Sequence, residues 1–483
     1  MPVRRPGPAR RALPLGCTTD ANTTPTSACA PADVAARVGL TTDSETSGAT
    51  NVHVPLTAFQ LEIWISQILE PSSTVYNVGD YYEITGVVDA ALLERAARIA
   101  VDEAGSLGAR FVMGPDGAPA QELAPAEWDF DVLDLSDTRD PEAEALAWMR
   151  AQFDRPVDLT RGPLLTAALI KVSADRHFWY RRFHHILIDA HSFAALARRT
   201  ADLYNSLQSG APSTPNPFAP VTVAVEHERA YAAGRLCRAD RDFWEKEAAE
   251  WPVTGRLKAA APPAPVARHG GHHLPRPVVD AINEQSERFG VSPAHFQITA
   301  AALYLWQATE ADEVTFGCSV SGRTTRKLRD VVAPMSNILP MRVAVEPDRS
   351  VLDTFRQADG RIRQALRHHR YRYEEFRRAL SARPGPPEQH GVGPLVNIMN
   401  FDRDLRFGAA TGVVHTLVTG PIPDLSFFFD ARAVSEGAAI GVEANPANYS
   451  VEEAQRHADG LGLLVRQLAS AEPATAVRTV GRG

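Results

Sequence analysis

From Val54 to about residue 470, short stretches fit for strands alternate with longer stretches at helical spacing, and this alternation constrains the fold more than any other feature. Strands buried by flanking helices build layered α/β domains, and a chain of 483 residues is too long for one typical core. VPLTAFQLEIWISQIL carries Leu56, Phe59, Ile63, Trp64 and Ile68 at steps that put apolar side chains on one helical stripe. YNVGDYYEITG reads as a strand, and DAALLERAARIAVDEAG as an amphipathic helix with Asp89 as N-cap. HFWYRRFHHILI (177–188) has the aromatic and apolar content of a central strand. The helix after it shows Phe193, Leu196, Leu203, Tyr204 and Leu207 on one stripe and ends at Gly210.

Two proline-rich stretches interrupt the alternation. SGAPSTPNPFAP (209–220) is the better internal linker, and APPAPVARHGG (261–271) is a second. Beyond them follow PVVDAINEQSERFG and PAHFQITAAALYLWQATE as helices, DEVTFGCSVSGRT and SNILPMRVAV as strands, and helices from about 351 and 451. Mixed α/β in two parts of similar size is therefore expected.

Residues 1–52 lack any sustained apolar period and are rich in Thr, Ser, Ala, Pro and Gly, which predicts a disordered tail. The apolar ALPLG between Arg11 and Cys17 is shorter than the roughly 7 to 15 residues of a signal h-region. No apolar run approaches the roughly 20 residues that span a bilayer. A net charge of -8 argues against general affinity for nucleic acid. Cys17, Cys29, Cys237 and Cys318 show no CxxC spacing, which suits a reducing, cytoplasmic setting. A cytoplasmic protein binding neither membrane nor nucleic acid is expected.

Chemistry concentrates in RRFHHILIDAHSF (181–193). Side chains alternate faces along a strand, so His184 and His185 point opposite ways and make a poor bidentate metal site. His185 shares a face with Arg181 and Phe183, and His184 shares the other with Arg182. Asp189 falls at the strand-to-helix turn, where it can pair with an arginine or orient the motif. Imidazole moves protons near neutral pH. A satisfied histidine in a packed strand is the competing reading.

The stretch HHILIDAHS resembles the HHxxxDG signature of condensation domains of nonribosomal peptide synthetases, relatives of chloramphenicol acetyltransferase. LTAFQLEIW (56–64), FDRPVDLTRGPLL (153–165), VVAPMSNILPMRV (331–343), HHRYRYEEFRRAL (368–380) and GPLVNIMNFD (393–402) resemble further blocks of that family in the same order. The resemblance covers roughly residues 54–475. It implies two acetyltransferase-like lobes arranged as a V-shaped pseudodimer: 53–222 for the lobe with the motif, 223–476 for the second, and 477–483 as a tail. It also implies that His185 is the main catalytic residue, with His184 and Asp189 supporting it. Ala190, His191 and Ser192, with Asn337 from the second lobe, are expected to line the substrate tunnel.

The implied reaction joins an acyl or aminoacyl thioester to an amine or hydroxyl, giving an amide or ester. His185 takes the proton from the nucleophile or holds it in line and stabilises the charged intermediate. No bound cofactor and no metal are expected. The phosphopantetheine arms are expected on donor and acceptor carrier proteins acting in trans on a monomer, since neither an adenylation domain nor a carrier-type serine motif is visible, unless the chain is an excised piece of a synthetase. An acyl-CoA-dependent acyltransferase of the same fold and a silent carrier-binding recruitment domain are the alternatives.

The sequence departs from the pattern in three places. Ala190 stands where the family has glycine, and its methyl is expected to narrow the space beside His185. Gly105 and Gly108 in EAGSLGARF stand where an acidic residue and an arginine are usual, so an ion pair is expected to be missing. In RHGGHH, His269, His272 and His273 are expected in a solvated loop. GCSVSG misses the GxSxG elbow by one residue and is expected to end a strand.

Overall fold

The computed structural model describes residues 53–252, 257–258, 261–384, 391–399, 404–430 and 437–481. The expected disordered tail over 1–52, with its short apolar ALPLG stretch, lies outside the described residues.

Among the described residues, two six-stranded sheets and one three-stranded sheet organise the fold. The first large sheet runs, in spatial order, Leu405–Phe407, Ala410–Val418, Asn77–Thr85, Arg176–His184, Leu165–Lys171 and Phe130–Asp134. The second runs Asn337–Ala344, Glu313–Val320, Leu395–Met399, Leu425–Asp430, Ala438–Ala444 and Arg268–Leu274. Helices Ala90–Ala104 and Ala190–Ser209 pack together in the first part. Helices Arg276–Phe289, Pro293–Thr309, Val351–Arg367 and Val451–Ala469 do so in the second. The fold is mixed α/β with one large sheet in each part.

A single cut near residue 222 does not describe the sheets. Ala410–Val418, far into the second half, pairs antiparallel with Asn77–Thr85 in the first sheet, placing Val418 opposite Gly79. Asn77–Thr85 therefore lies between this crossing strand and the motif strand Arg176–His184, which it meets with Val78 opposite Phe183 and Asn77 opposite His184. The arrangement brings a second-half segment to the end of the sheet where the histidines sit.

The motif strand is buried because Phe178, Trp179, Tyr180 and Phe183 supply core on both faces. Its charges are compensated in place. Arg181 sits opposite Asp80 and holds it at 3.0 and 2.6 Å. Arg182 donates to the carbonyl of Gln152 at 2.6 Å, near the end of helix Pro141–Phe153, where carbonyls lack helical partners.

Two local expectations need correction. The motif strand stops at His184 rather than continuing to Ile188, because residues 185–187 form a turn in which Leu187 N donates to His184 O at 3.0 Å. RHGGHH is not a loop. Arg268–Leu274 is an edge strand lying against helix Val451–Ala469. A Cβ on Gly270 would come within 2.3 Å of the Ala454 carbonyl oxygen, so its glycine permits that contact. His272 is held by Asp459 at 2.9 Å, while His269 and His273 pair in register with Glu443 and Ala439. Strand Glu313–Val320 ends within GCSVSG, as expected.

Candidate active site

The turn after the motif strand explains the spacing of HHxxxD. His185 N donates to Tyr76 O at 2.7 Å, fixing the backbone where the strand ends. The turn then brings the Ile188 carbonyl to within 2.7 Å of His185 Nδ1. A carbonyl only accepts, so Nδ1 carries the proton and Nε2 keeps its lone pair. Burial lowers the His185 pKa below 6.5, against the smaller upward pull of the Ile188 carbonyl. The ring is partly exposed and packs on Phe59 at 5.3 Å between centroids. The Ile188 contact thus leaves Nε2 as the ring nitrogen available to a proton.

His184 is different. It is buried, its Nε2 meets Gln67 Oε1 at 3.2 Å, and its Nδ1 accepts from Ile186 N at 3.3 Å. Burial, aided by His185 and Arg182, pushes its pKa down to about 3. Both ring nitrogens are used inside the fold, so His184 braces the turn.

Asp189 caps helix Ala190–Ser209 by accepting from Ser192 N at 3.0 Å. Arg323 grips the same carboxylate with Nη1 at 2.7 Å and Nη2 at 3.0 Å, and Met335 N and Ser336 Oγ donate at 2.9 and 3.1 Å. Burial alone would raise the Asp189 pKa, but Arg323 and these N–H groups outweigh it and hold it well below the usual carboxylate range. The motif is thereby tied to segment 321–336 of the second half. Arg323 was not identified from the sequence. The only available signal was the general one that Asp189 could pair with an arginine. Gly322, at φ 66, puts Arg323 in place, since a Cβ there would lie 2.0 Å from Met335 O.

The four residues expected to line a tunnel are held as follows. Ala190 is exposed in the first turn of its helix, where φ is not positive, so its methyl neither strains the backbone nor crowds a buried space. His191 Nε2 lies 3.0 Å from the Arg329 carbonyl. Ser192 is fully buried and accepts from Arg323 Nη2 at 2.8 Å while donating to Ala333 O at 3.1 Å. Asn337 is buried, with Nδ2 donating to His369 O and Tyr371 O and Oδ1 accepting from Tyr373 N. Ser192 and Asn337 hold backbone segments in place.

The glycine departures also have local reasons. Gly105 takes the left-handed position that ends helix Ala90–Ala104, at φ 68. Gly108 lies so near segment 124–126 that a Cβ would fall 2.2 Å from Ala124 O, so this backbone leaves no room for an arginine. Asp189 has a complete ion pair without one.

The sequence matches the family described as Condensation domain over residues 50–480. The chain belongs to that family. It is 36% identical over 420 residues to a dimodular nonribosomal peptide synthase of Bacillus subtilis (strain 168), covering 86% of this chain and 17% of the relative. It is 34% identical to an isonitrile lipopeptide synthase of Streptomyces coeruleorubidus, covering 86% of this chain and 28% of the relative. The condensation domain thus spans well under a third of the length of these two curated relatives. Among solved structures, the first condensation domain of the calcium-dependent antibiotic synthetase superposes with a TM-score of 0.82 at 28% identity, covering 89% of this chain and 99% of that one. A variant of the starter condensation domain of rhizomide synthetase, solved with C8-CoA, gives 0.80 at 31% identity, covering 89% and 97%. The mixed α/β fold with two large sheets is the two-lobed fold of these domains.

Proposed function

We propose that this condensation domain joins an acyl or aminoacyl thioester to an acceptor amine, with His185 as the catalytic residue. The observation that carries the reading is the Ile188 carbonyl on Nδ1, which leaves Nε2 as a proton acceptor beside a partly exposed ring face. The acceptor nitrogen attacks the thioester carbonyl and gives up a proton to Nε2. The tetrahedral intermediate then collapses, forming the C–N bond and breaking the C–S bond. The proton passes to the departing thiolate, so no covalent acyl-enzyme is required. General-base help of this kind contributes about 10²- to 10⁴-fold.

The donor and acceptor are thioesters on phosphopantetheine arms of carrier proteins, and both are substrates of this domain rather than resident cofactors. A second reading keeps the same chemistry but takes the donor from acyl-CoA. The C8-CoA complex of the rhizomide starter domain favours it. Incubating the protein with an aminoacyl carrier and either an acyl carrier or an acyl-CoA, then weighing the acceptor carrier intact, tests both. A mass gain equal to the acyl group is expected. Gain from acyl-CoA alone supports the second reading, and no gain from either donor contradicts condensation.

A further inference from the structure

The chain returns from the first sheet to the second through residues 419–424, directly beside His185. A Cβ built on Gly420 would lie 3.1 Å from His185 Cδ2, 3.7 Å from Nε2 and 3.7 Å from Val78 Cγ1. Gly420 sits at φ 123, a backbone conformation that L side chains rarely adopt. The Cδ2–Nε2 side of the imidazole therefore lies against the bare backbone of residue 420 with less room than a methyl group needs, and Val78 stands beside the same spot.

This wall is pinned on both sides. Thr419 Oγ1 donates to Glu443 Oε2 at 2.5 Å, from the buried second-sheet strand Ala438–Ala444. Ile422 exchanges two backbone hydrogen bonds with Ala264, each 3.1 Å, and its carbonyl also accepts from Asn445 Nδ2 at 2.9 Å. Val78 is buried and paired opposite Phe183 of the motif strand. A nucleophile in hydrogen-bond reach of Nε2 sits roughly 3 Å from it, on the ring edge that Gly420 faces.

We propose that Gly420 and Val78 set the size limit on the attacking atom of the acceptor, so that the acceptor is a primary amine and secondary amines are excluded. The proposal rests on the condensation reading and adds the acceptor class to it. A primary amine brings only hydrogens against this wall, whereas an N-methyl group requires room that the pinned wall does not leave.

The test compares glycyl- and N-methylglycyl-pantetheine as acceptors with one acyl donor, each rate divided by that of uncatalysed aminolysis of the same thioester. The wild type is expected to favour the glycyl acceptor by at least about tenfold, the usual scale for one carbon in a fitted pocket. Val78→Ala, which opens space beside the ring without touching the backbone of residue 420, is expected to bring that preference toward unity. Gly420→Ala is expected to lower turnover of the glycyl acceptor by about tenfold or more. Should Gly420→Ala fail to fold, Val78→Ala decides alone. Equal corrected rates in the wild type, or a preference unmoved by Val78→Ala, overturn the proposal. No product from either acceptor contradicts the condensation reading itself, and the size limit falls with it.

Discussion

His185 and Asp189 are four residues apart, yet their surroundings follow opposite designs. Asp189 is almost completely buried, and Arg323, Met335, Ser192 and Ser336 all donate to its two oxygens. His185 has one ring nitrogen fixed by Ile188 and the other facing a glycine. A saturated, buried ion pair has no capacity left for substrate, and its strength lies in holding two distant segments together. The half-satisfied imidazole retains that capacity. The motif thus divides into a saturated end and an unsaturated one, and His184, with both ring nitrogens engaged, belongs with the saturated end.

The sharpest way to break this division is at the saturated end. Arg323→Ala leaves Asp189 buried without its counter-charge, and the expected cost is about 3 to 5 kcal/mol of folding stability. Chemical denaturation measures it, and a loss below about 1 kcal/mol would show that the node is not structural. At the unsaturated end, pH separates the two groups. His185 has a folded pKa below 6.5, so the neutral form persists as pH falls through the ordinary histidine range. The acidic limb of the kcat/KM profile is therefore expected below 6.5. A limb above that value would mean that the ring is not desolvated as the fold implies. The smallest effect belongs to Ala190→Gly. Residue 190 is exposed and helical, so glycine is expected to cost less than about 1 kcal/mol and to leave the rate within about twofold. A large gain in rate would restore the view that this methyl crowds the site.

Much of this was legible in the sequence, for identifiable reasons. The helix Ala58–Leu69, the helix after the motif and the buried motif strand follow from apolar periodicity, which a chain carries locally. The opposed roles of His184 and His185 were expected from strand alternation, although the strand ends one residue before His185 and a turn completes the separation. Three things needed the fold. Arg323 lies 134 residues from Asp189, and no local pattern links them. Crossing strand Ala410–Val418 reads like any other strand, and only its pairing with Asn77–Thr85 places Gly420 beside the imidazole. The histidines of RHGGHH were expected in a solvated loop because they lie at the end of a proline-rich linker without acidic or Cys partners at ligand spacing, whereas Gly270 lets an edge strand pack on a helix. Ser192 and Asn337 were assigned to the tunnel from the resemblance, and their hydrogen bonds hold backbone.

The central claim is that His185 supplies chemistry while its neighbours supply structure. Single-turnover condensation by His185→Ala, measured beside its thermal unfolding, tests this most directly. The account predicts a rate at least about 100-fold below wild type with a melting temperature nearly unchanged. Unchanged turnover by the folded variant would contradict it.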